Sequence, residues 1–205
     1  MIIKLDHIAY TCKKDGKENI KKRLEQYQTV FEEDNVKNLL IKKDLMDNWQ
    51  EDHDLSLMEK EDDLPVEITA YEKVSKADGK YKPINNRIWV ATNSKPASIF
   101  FYEKIGFRGT GEGMQIKPLM GISPIDIELH EKSPLELDFK NHYLDTEGYC
   151  CLAFVTNQIN REIERLKRCD ISTTEIMNLT LHDRSMSIFF AYNDQGDICE
   201  FIGIQ

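Results

Sequence analysis

Three segments of this chain begin with an apolar strand pattern and end with a strand that carries one glutamate. The opening strands cover residues 4–10, 87–91 and 151–155. The closing strands hold Glu67, Glu128 and Glu200 among apolar neighbours. A unit this small cannot bury its apolar face alone and must pair with another. The repeat therefore predicts a modular fold in which chemistry takes place where two units meet.

Each unit also carries a helix pattern between its first and last strands. Apolar residues recur at i, i+4, i+7 in the first and third units, at Ile20, Leu24, Tyr27, Ile159, Ile163 and Leu166. In the second unit Ser94 and Pro96 are helix-start signals, and Gly106 is a helix-end signal. The order βαβββ, three times, predicts an α+β fold in which each helix covers one face of a small sheet.

The division into domains follows from a polar run at residues 76–80, which has no apolar periodicity and reads as a linker. We expect an N-terminal module over residues 1–75. Residues 84–205 would hold two paired modules, 84–133 and 147–205. Residues 39–50 are ambiguous and fit either a second short helix or an insertion.

Composition limits the classes of partner and the compartment. The formal charge of −9 and the pI near 5.1 argue against a nucleic-acid or anionic-membrane partner. No apolar run approaches the roughly 18 residues needed to span a bilayer, and we expect no signal peptide. Five cysteines without CxxC spacing argue against structural zinc and a disulfide framework. We expect a cytoplasmic protein.

Four features resemble the vicinal oxygen chelate superfamily, which includes glyoxalase I, bleomycin-resistance proteins, methylmalonyl-CoA epimerase and extradiol dioxygenases. They are the Leu-Asp-His-Ile-Ala run at 5–9, the segment 98–107, the turn at 194–197 and the three glutamate strands. The resemblance implies that two βαβββ modules join into an eight-stranded cup. Each module would offer a divalent metal (Zn, Ni, Mn or Fe) one first-strand side chain and one fourth-strand glutamate.

Carried onto this chain, the resemblance implies different sites in the three units. Unit one has both metal ligands, His7 and Glu67. Units two and three keep Glu128 and Glu200, but Arg87 and Cys151 stand at their first-strand ligand positions. Because units two and three are joined by a short connection, we expect them to form the cup. Arg87 cannot ligate a metal and would pair with a carboxylate there.

Unit one would then lack a partner within the chain. Pairing with unit one of a second chain predicts a homodimer with a site of two histidines and two glutamates. The competing arrangement pairs unit one with unit two or unit three. It predicts a mixed site of His7, Glu67 and either Glu128 or Glu200.

Other candidate side chains have a structural interpretation beside the functional one. Tyr71 could orient a substrate oxygen, and His130 could serve as a ligand or base beside Glu128. Trp89 could stack on a ligand, but a core role that fills the second cup is favoured. Cys151 is interpreted as an inert buried thiol rather than a nucleophile. His53, His142 and His182 have polar neighbours in the sequence and are predicted at the surface.

Two functions follow. The first is a metal-dependent lyase, isomerase or dioxygenase acting on a small, oxygen-rich substrate. In it Glu67, Glu128 or Glu200 would move a proton next to a chelated carbonyl. The alternative is a non-catalytic protein that sequesters a small molecule in the cup, with Arg87, Trp89, Tyr71, His130 and Cys151 as contact residues.

Overall fold

The structure, a computed structural model, describes residues 2–84, 87–110, 113–116, 125–135, 137–181 and 184–204. Within these ranges no helix has both the length and the apolar character needed to cross a bilayer. The secondary structure confirms the α+β class: each unit holds one helix of seven or more residues among strands.

Unit one contains β1 (Ile2–Lys13), α1 (Lys17–Arg23), β2 (Gln28–Lys37), β3 (Asp52–Glu59) and β4 (Val66–Tyr71). Unit two contains β5 (Tyr81–Ile84), β6 (Arg87–Thr92), α2 (Lys95–Ile105), β7 (Arg108–Gly109), β8 (Met114–Ile116) and β9 (Ile125–Glu131). Unit three contains β10 (Gly148–Thr156), α3 (Ile159–Lys167), β11 (Ser172–Thr173), β12 (Met177–Leu181), β13 (Arg184–Tyr192) and β14 (Ile198–Ile204). Short 3₁₀ helices lie at Lys14–Gly16, Leu40–Leu45 and Phe139–Asn141.

The predicted ends of α2 are found in the structure. The Ser94 hydroxyl accepts the backbone N–H of Ala97, which caps the first turn. Gly106 follows the last turn at φ +129°, a conformation that residues with a Cβ rarely adopt.

The strands form two sheets, and the larger joins units one and three. Its order is β11-β13-β14-β10-β1-β4-β3-β2, with β12 paired to β13. The first strands of the two units, β1 and β10, lie antiparallel at its centre. Unit two forms a separate sheet of order β5-β6-β9-β8-β7.

A shared sheet built from two modules is therefore present, but the prediction that units two and three form it is wrong. The edge of β6 that β10 would need is paired with β5, whose first three residues precede the module predicted to begin at residue 84. The domain division at residues 76–83 fails for the same reason, because unit one belongs with unit three.

The predicted homodimer site is also wrong in its arrangement. Strand β1 is paired with β10 on one side and with β4 on the other. Neither edge remains for the first strand of a second chain, so two copies of His7 cannot be brought together in this way. The competing arrangement, with unit one beside unit three, is the one found.

Two buried clusters lie on opposite faces of the larger sheet. One joins Ile8 and Phe154 to Phe101 of α2 and Val90 of β6, so unit two packs behind the sheet. We call the other face, which carries His7, Glu67 and Glu200, the cup face. Its buried cluster contains Ala9, Tyr71, Cys151, Phe190, Leu45 and Met46.

Leu45 and Met46 belong to the ambiguous segment, which is an insertion that covers the cup face. We call residues 38–50 the strap. Its single regular element is the 3₁₀ helix Leu40–Leu45. The buried carboxylate of Asp145 anchors the strap by accepting hydrogen bonds from the backbone N–H groups of Asp47 and Asn48, both at 2.9 Å.

The predicted linker is not a simple polar connection. The side chains of Lys80 and Asp197 are both 0% exposed, and Lys80 Nζ lies 2.9 Å from Asp197 Oδ1. Lys80 also donates to the carbonyl oxygens of Ala91 and Gln195, at 2.9 and 2.7 Å. Asp197 accepts from Ser98 Oγ at 2.6 Å. Through these contacts, the segment that connects unit one to unit two binds to both unit two and unit three.

Candidate functional site

His7 lies at the centre of the cup face. Alternation along β1 places His7 with Ala9, while Ile8 packs in the opposite cluster. The His7 side chain is almost fully buried. Its Nδ1 lies 3.1 Å from Asp6 Oδ2, which holds the ring in place. Its Nε2 has no hydrogen-bond partner among the residues that the structure describes.

Two carboxylates face this nitrogen. Glu67 Oε2 lies 3.5 Å and Glu200 Oε2 lies 3.7 Å from His7 Nε2. Parallel pairing puts Glu67 opposite Ala9 on β1 and Glu200 opposite Ala153 on β10. The structure therefore brings together the two ligands predicted in unit one and the glutamate of unit three.

The register between β1 and β10 also places Cys151. His7 lies opposite Ala153, and Cys151 lies opposite Ala9. Cys151 thus holds in unit three the position that His7 holds in unit one, as the resemblance implied. Burial, with Glu200 as the next cause, raises the pKa of the Cys151 thiol well above its usual value. A protonated, buried thiol supports its interpretation as inert.

The charges around His7 favour its protonated ring in the metal-free protein. Burial acts to lower the pKa of His7, but the Glu67 charge, the Asp6 hydrogen bond and Glu200 together raise it well above 6.5. In turn the His7 hydrogen bond and charge lower the pKa of Asp6, against the effect of burial. Imidazolium and carboxylates here stabilise one another's charged forms.

The strap adds a cation that sequence reasoning missed. Lys42 Nζ lies 5.8 Å from the centroid of the Phe190 ring. Phe190 is the cross-strand partner of Glu200. Burial opposes the charge on Lys42, but Tyr71, Glu200 and Glu67 outweigh it and raise the pKa of the ammonium. The segment fitted either a short helix or an insertion, so no sequence signal pointed to Lys42.

Tyr71 and His53 lie beside this ammonium. Burial raises the pKa of Tyr71 to about 12, although Lys42 acts in the opposite direction. The His53 ring centroid is 5.3 Å from that of Tyr71. Burial and the Lys42 charge lower the pKa of His53 to about 3, so the ring is neutral. Tyr71 therefore lines the cup face, as predicted.

The prediction that His53, His142 and His182 lie at the surface is wrong for His53 and His142. His53 and His142 are both buried. His142 is buried because its ring is satisfied on both sides, with Nδ1 2.6 Å from Asp78 Oδ2 and Nε2 3.0 Å from the carbonyl oxygen of Cys150. His182 lies outside the described residues. Alternation with Leu55 and Leu57 on β3 was the signal that could have placed His53.

The candidate residues of unit two form a separate group on the smaller sheet. Arg87 Nη1 lies 3.3 Å from Glu128 Oε2, so the predicted ion pair forms. His130 Nε2 lies 3.1 Å from the other Glu128 oxygen, Oε1. The Trp89 and His130 ring centroids are 4.3 Å apart.

The predicted grouping of Arg87 and Glu128 with Cys151 and Glu200 is wrong, because the two pairs lie on different sheets. Trp89 is 37% exposed and does not fill a core, which contradicts the favoured structural interpretation. Within the described residues, Arg87, Trp89, Glu128 and His130 instead line one open face of the smaller sheet.

No protein-family model matches the chain, and no curated protein matches it. Among solved structures it is similar to methylmalonyl-CoA epimerase from Mycobacterium tuberculosis, at 12% identity and a TM-score of 0.47, over 100% of this chain and 89% of that one. It is also similar to glyoxalase I from Zea mays, at 12% identity and a TM-score of 0.42, over 97% and 67% of the two chains.

A glyoxalase family protein from Enterococcus faecalis matches at 21% identity and a TM-score of 0.43, over 59% of this chain and 97% of that one. The chain spans only 64% of the length of a matched chain from Bacillus subtilis subsp. subtilis str. 168. By strand order and register, units one and three are paired strand–helix–strand modules that share one sheet.

Proposed function

We propose that the cup face binds one divalent cation through His7, Glu67 and Glu200, and that the protein is a glyoxalase-like, metal-dependent enzyme acting on a small, oxygen-rich substrate. The observation that carries the proposal is His7 Nε2. It is buried, has no hydrogen-bond partner among the described residues and faces two carboxylate oxygens. A buried nitrogen of this kind needs either a proton shared with the carboxylates or a cation.

The donor set fits a divalent cation. Ligand atoms at the corners of a tetrahedral zinc site, each about 2.0–2.1 Å from the ion, lie about 3.4 Å apart. The distances of 3.5 and 3.7 Å from His7 Nε2 are close to that. Asp6 on Nδ1 is the carboxylate partner that a ligating histidine usually has. One imidazole and two carboxylates suit Zn, Fe or Mn.

The three side chains would still have to adjust to hold the ion. No set of three His, Cys, Asp or Glu side chains in the described ranges is already arranged as a metal site. Rotations of the two glutamate side chains about a fixed His7 would provide the adjustment. A bound cation would supply Lewis acidity toward two neighbouring substrate oxygens.

Glu67 and Glu200 have different surroundings, which suit them to different roles. Thr69 Oγ1 donates to Glu67 Oε1 at 3.3 Å, which fixes the orientation of this carboxylate. Glu200 is buried, and no hydroxyl donor to it is described. We assign the proton transfer next to the carbonyl to Glu200 and the firmer ligand role to Glu67. Glu128 takes no part at this site, because it lies on the other sheet between Arg87 and His130.

Calorimetric titration of the metal-free protein with Zn²⁺ and Mn²⁺ tests the proposal. We expect one cation per chain, because all three ligands come from one chain, and His7→Ala should weaken binding at least about tenfold. The control is His130→Ala, which removes a histidine from the other sheet and should leave binding unchanged. Absence of binding, or equal binding by His7→Ala, would contradict the proposal. Sizing of the same samples reports whether the chain is a homodimer.

Cation affinity is expected to rise with pH. Since the pKa of His7 is raised well above 6.5, a proton occupies the ring below that raised value and must leave when the cation binds. Affinity should therefore increase about tenfold per pH unit below the raised pKa and level off above it. The protonated ring stabilises the metal-free fold below about pH 6.5, and this contribution is lost as pH rises through the raised pKa.

The titration is measured from about pH 6 to about pH 9 in two buffers that differ in ionisation enthalpy, which reports the protons released. His130→Ala, which leaves the cup intact, should give the same dependence as the unmodified chain. A cation affinity that does not change with pH would show that His7 is not the ligand.

One observation favours the non-catalytic alternative, and it concerns the other sheet. Trp89 is exposed, lies against His130 and has Lys82 Nζ 5.9 Å from its ring centroid. This face could bind a planar anion by stacking and charge. A ligand that raises the Tm of metal-free protein, but not of Trp89→Ala, would support this role. A ligand that requires the cation would support the enzyme.

A further inference from the structure

The strap places a second positive charge on the cup face. The Lys42 ammonium lies 5.8 Å from the centroid of the Phe190 ring. Phe190 and Glu200 are directly opposed on β13 and β14, and opposed residues share one face of a sheet. Glu200 Oε2 is in turn 3.7 Å from His7 Nε2. Lys42 therefore lies on the same face of the sheet as the three proposed ligands.

The position of Lys42 is set by a segment that is anchored at both ends. At its start, Asn38 N–H donates to the carbonyl oxygen of Glu51 at 2.8 Å. Near its end, Leu144 N–H donates to the carbonyl oxygen of Leu45 at 2.8 Å, next to the Asp145 clamp on Asp47 and Asn48. Leu45 and Met46 are buried in the cup-face cluster. The backbone that carries Lys42 is therefore fixed beside the cup face unless the strap moves.

The charges explain why Lys42 and a cation compete. Glu67 and Glu200 attract the ammonium, which stays protonated because its pKa is raised. An ammonium has no lone pair and cannot be a ligand. A divalent cation added beside it would place two like charges close together under a buried cover, where charges interact strongly.

We propose that Lys42 is a built-in counter-cation of the cup, and that a divalent cation binds to His7, Glu67 and Glu200 only when the strap carries Lys42 away from the two glutamates. The inference rests on the proposed function for the identity of the ligands. It adds that the strap is the gate of the site and that cation loading opens it.

Charge removal at Lys42 is the direct test. We expect Lys42→Met to bind Zn²⁺ or Mn²⁺ at least about tenfold more tightly than the unmodified chain in calorimetric titration, because the competing charge is gone. Lys43→Met is the matched control, since it removes the same charge from the exposed neighbour in the same 3₁₀ helix. Lys42→Arg keeps the charge and should bind the cation as weakly as the unmodified chain. Equal affinities for Lys42→Met and Lys43→Met would overturn the inference.

A second measurement needs no cation. In the metal-free protein, Lys42→Met leaves Glu67 and Glu200 with less compensating charge, so its denaturation midpoint should fall below that of Lys43→Met. If no variant binds a cation, the proposed function fails and this comparison alone decides the role of Lys42. A midpoint for Lys42→Met no lower than that of Lys43→Met would overturn that role. If binding depends on His7 but not on Lys42, the proposed function stands and the inference fails.

Hydrogen exchange tests the gate itself. Cation loading of the unmodified chain should speed exchange of the strap amides that Asp145 and its neighbours hold, including Asp47 and Asn48. The amides at the β1–β10 pairing are the internal reference, because this central pair does not have to move. Cation binding with unchanged exchange in the strap would exclude strap opening.

Discussion

Asp197→Ala is expected to lower the free energy of unfolding by about 3–5 kcal/mol, because it leaves the buried Lys80 ammonium without its carboxylate partner. Lys80 and Asp197 are fully buried and 2.9 Å apart. Without the carboxylate, the ammonium keeps only the carbonyl oxygens of Ala91 and Gln195. The Ser98 hydroxyl also loses the Asp197 acceptor at 2.6 Å and keeps only Thr92 Oγ1, at 2.8 Å, among the acceptors within the described residues. Chemical denaturation measures the loss.

Two further variants make this result specific. Lys167→Met removes one partner of the solvent-exposed pair Lys167–Glu175, which are 3.8 Å apart, and should change stability by no more than about 0.5 kcal/mol. The double variant Lys80→Met/Asp197→Ala should lose less than the sum of its single variants, since it leaves no unpaired charge. A loss for Asp197→Ala as small as that for Lys167→Met would show that the pair does not hold the units together.

Gly196→Ala is expected to destabilise the fold by about 3 kcal/mol, through backbone conformation and a clash that the chain cannot relieve. Gly196 has φ +71°, in the left-handed region. A Cβ there would overlap the backbone carbonyl oxygen of Phe139 and lie 2.7 Å from His142 Cβ. The tight contact brings the β13–β14 turn against the chain that leads to β10.

Gly79→Ala is the matched control for Gly196→Ala. Its φ of +67° is nearly the same, but nothing lies within 4 Å of the position of its Cβ. It should therefore cost only the backbone term, about 1 kcal/mol. The difference between the two denaturation free energies isolates the packing contribution. Equal losses would mean that the contact with Phe139 and His142 relaxes at no cost.

The repeat pattern was sufficient to predict the three units and the face of each strand on which its polar residues lie. The resemblance implied that His7, Glu67, Cys151 and Glu200 occupy ligand positions of the cup, and the register places all four on one face of the sheet. Alternation is a property of one strand, so it can be read without knowing the neighbouring strand. The same argument would have placed His53 on the cup face, where polar neighbours in the sequence suggested the surface.

Pairing between units could not be read in this way. A short connection between units two and three suggested that they share a sheet, but β5 occupies the edge of β6. Residues 76–80 look like a polar linker because their one buried charge, Lys80, is matched by Asp197, 117 positions away in the chain. Lys42 was missed for a similar reason, because its partners come from β4, β13 and β14 rather than from the strap.

The sequence by itself determined the α+β modules and the helix ends at Ser94 and Gly106, and its family resemblance implied that His7 and Glu67 share a site in one unit. Each of these depends on residues a few positions apart or at equivalent places in a repeat. Only the tertiary structure decided that Glu200 rather than Glu128 joins His7, and that Lys42 lies beside Phe190, the cross-strand partner of Glu200. Those choices depend on which strand edges remain free and on which buried charges compensate one another, and both are properties of the whole fold.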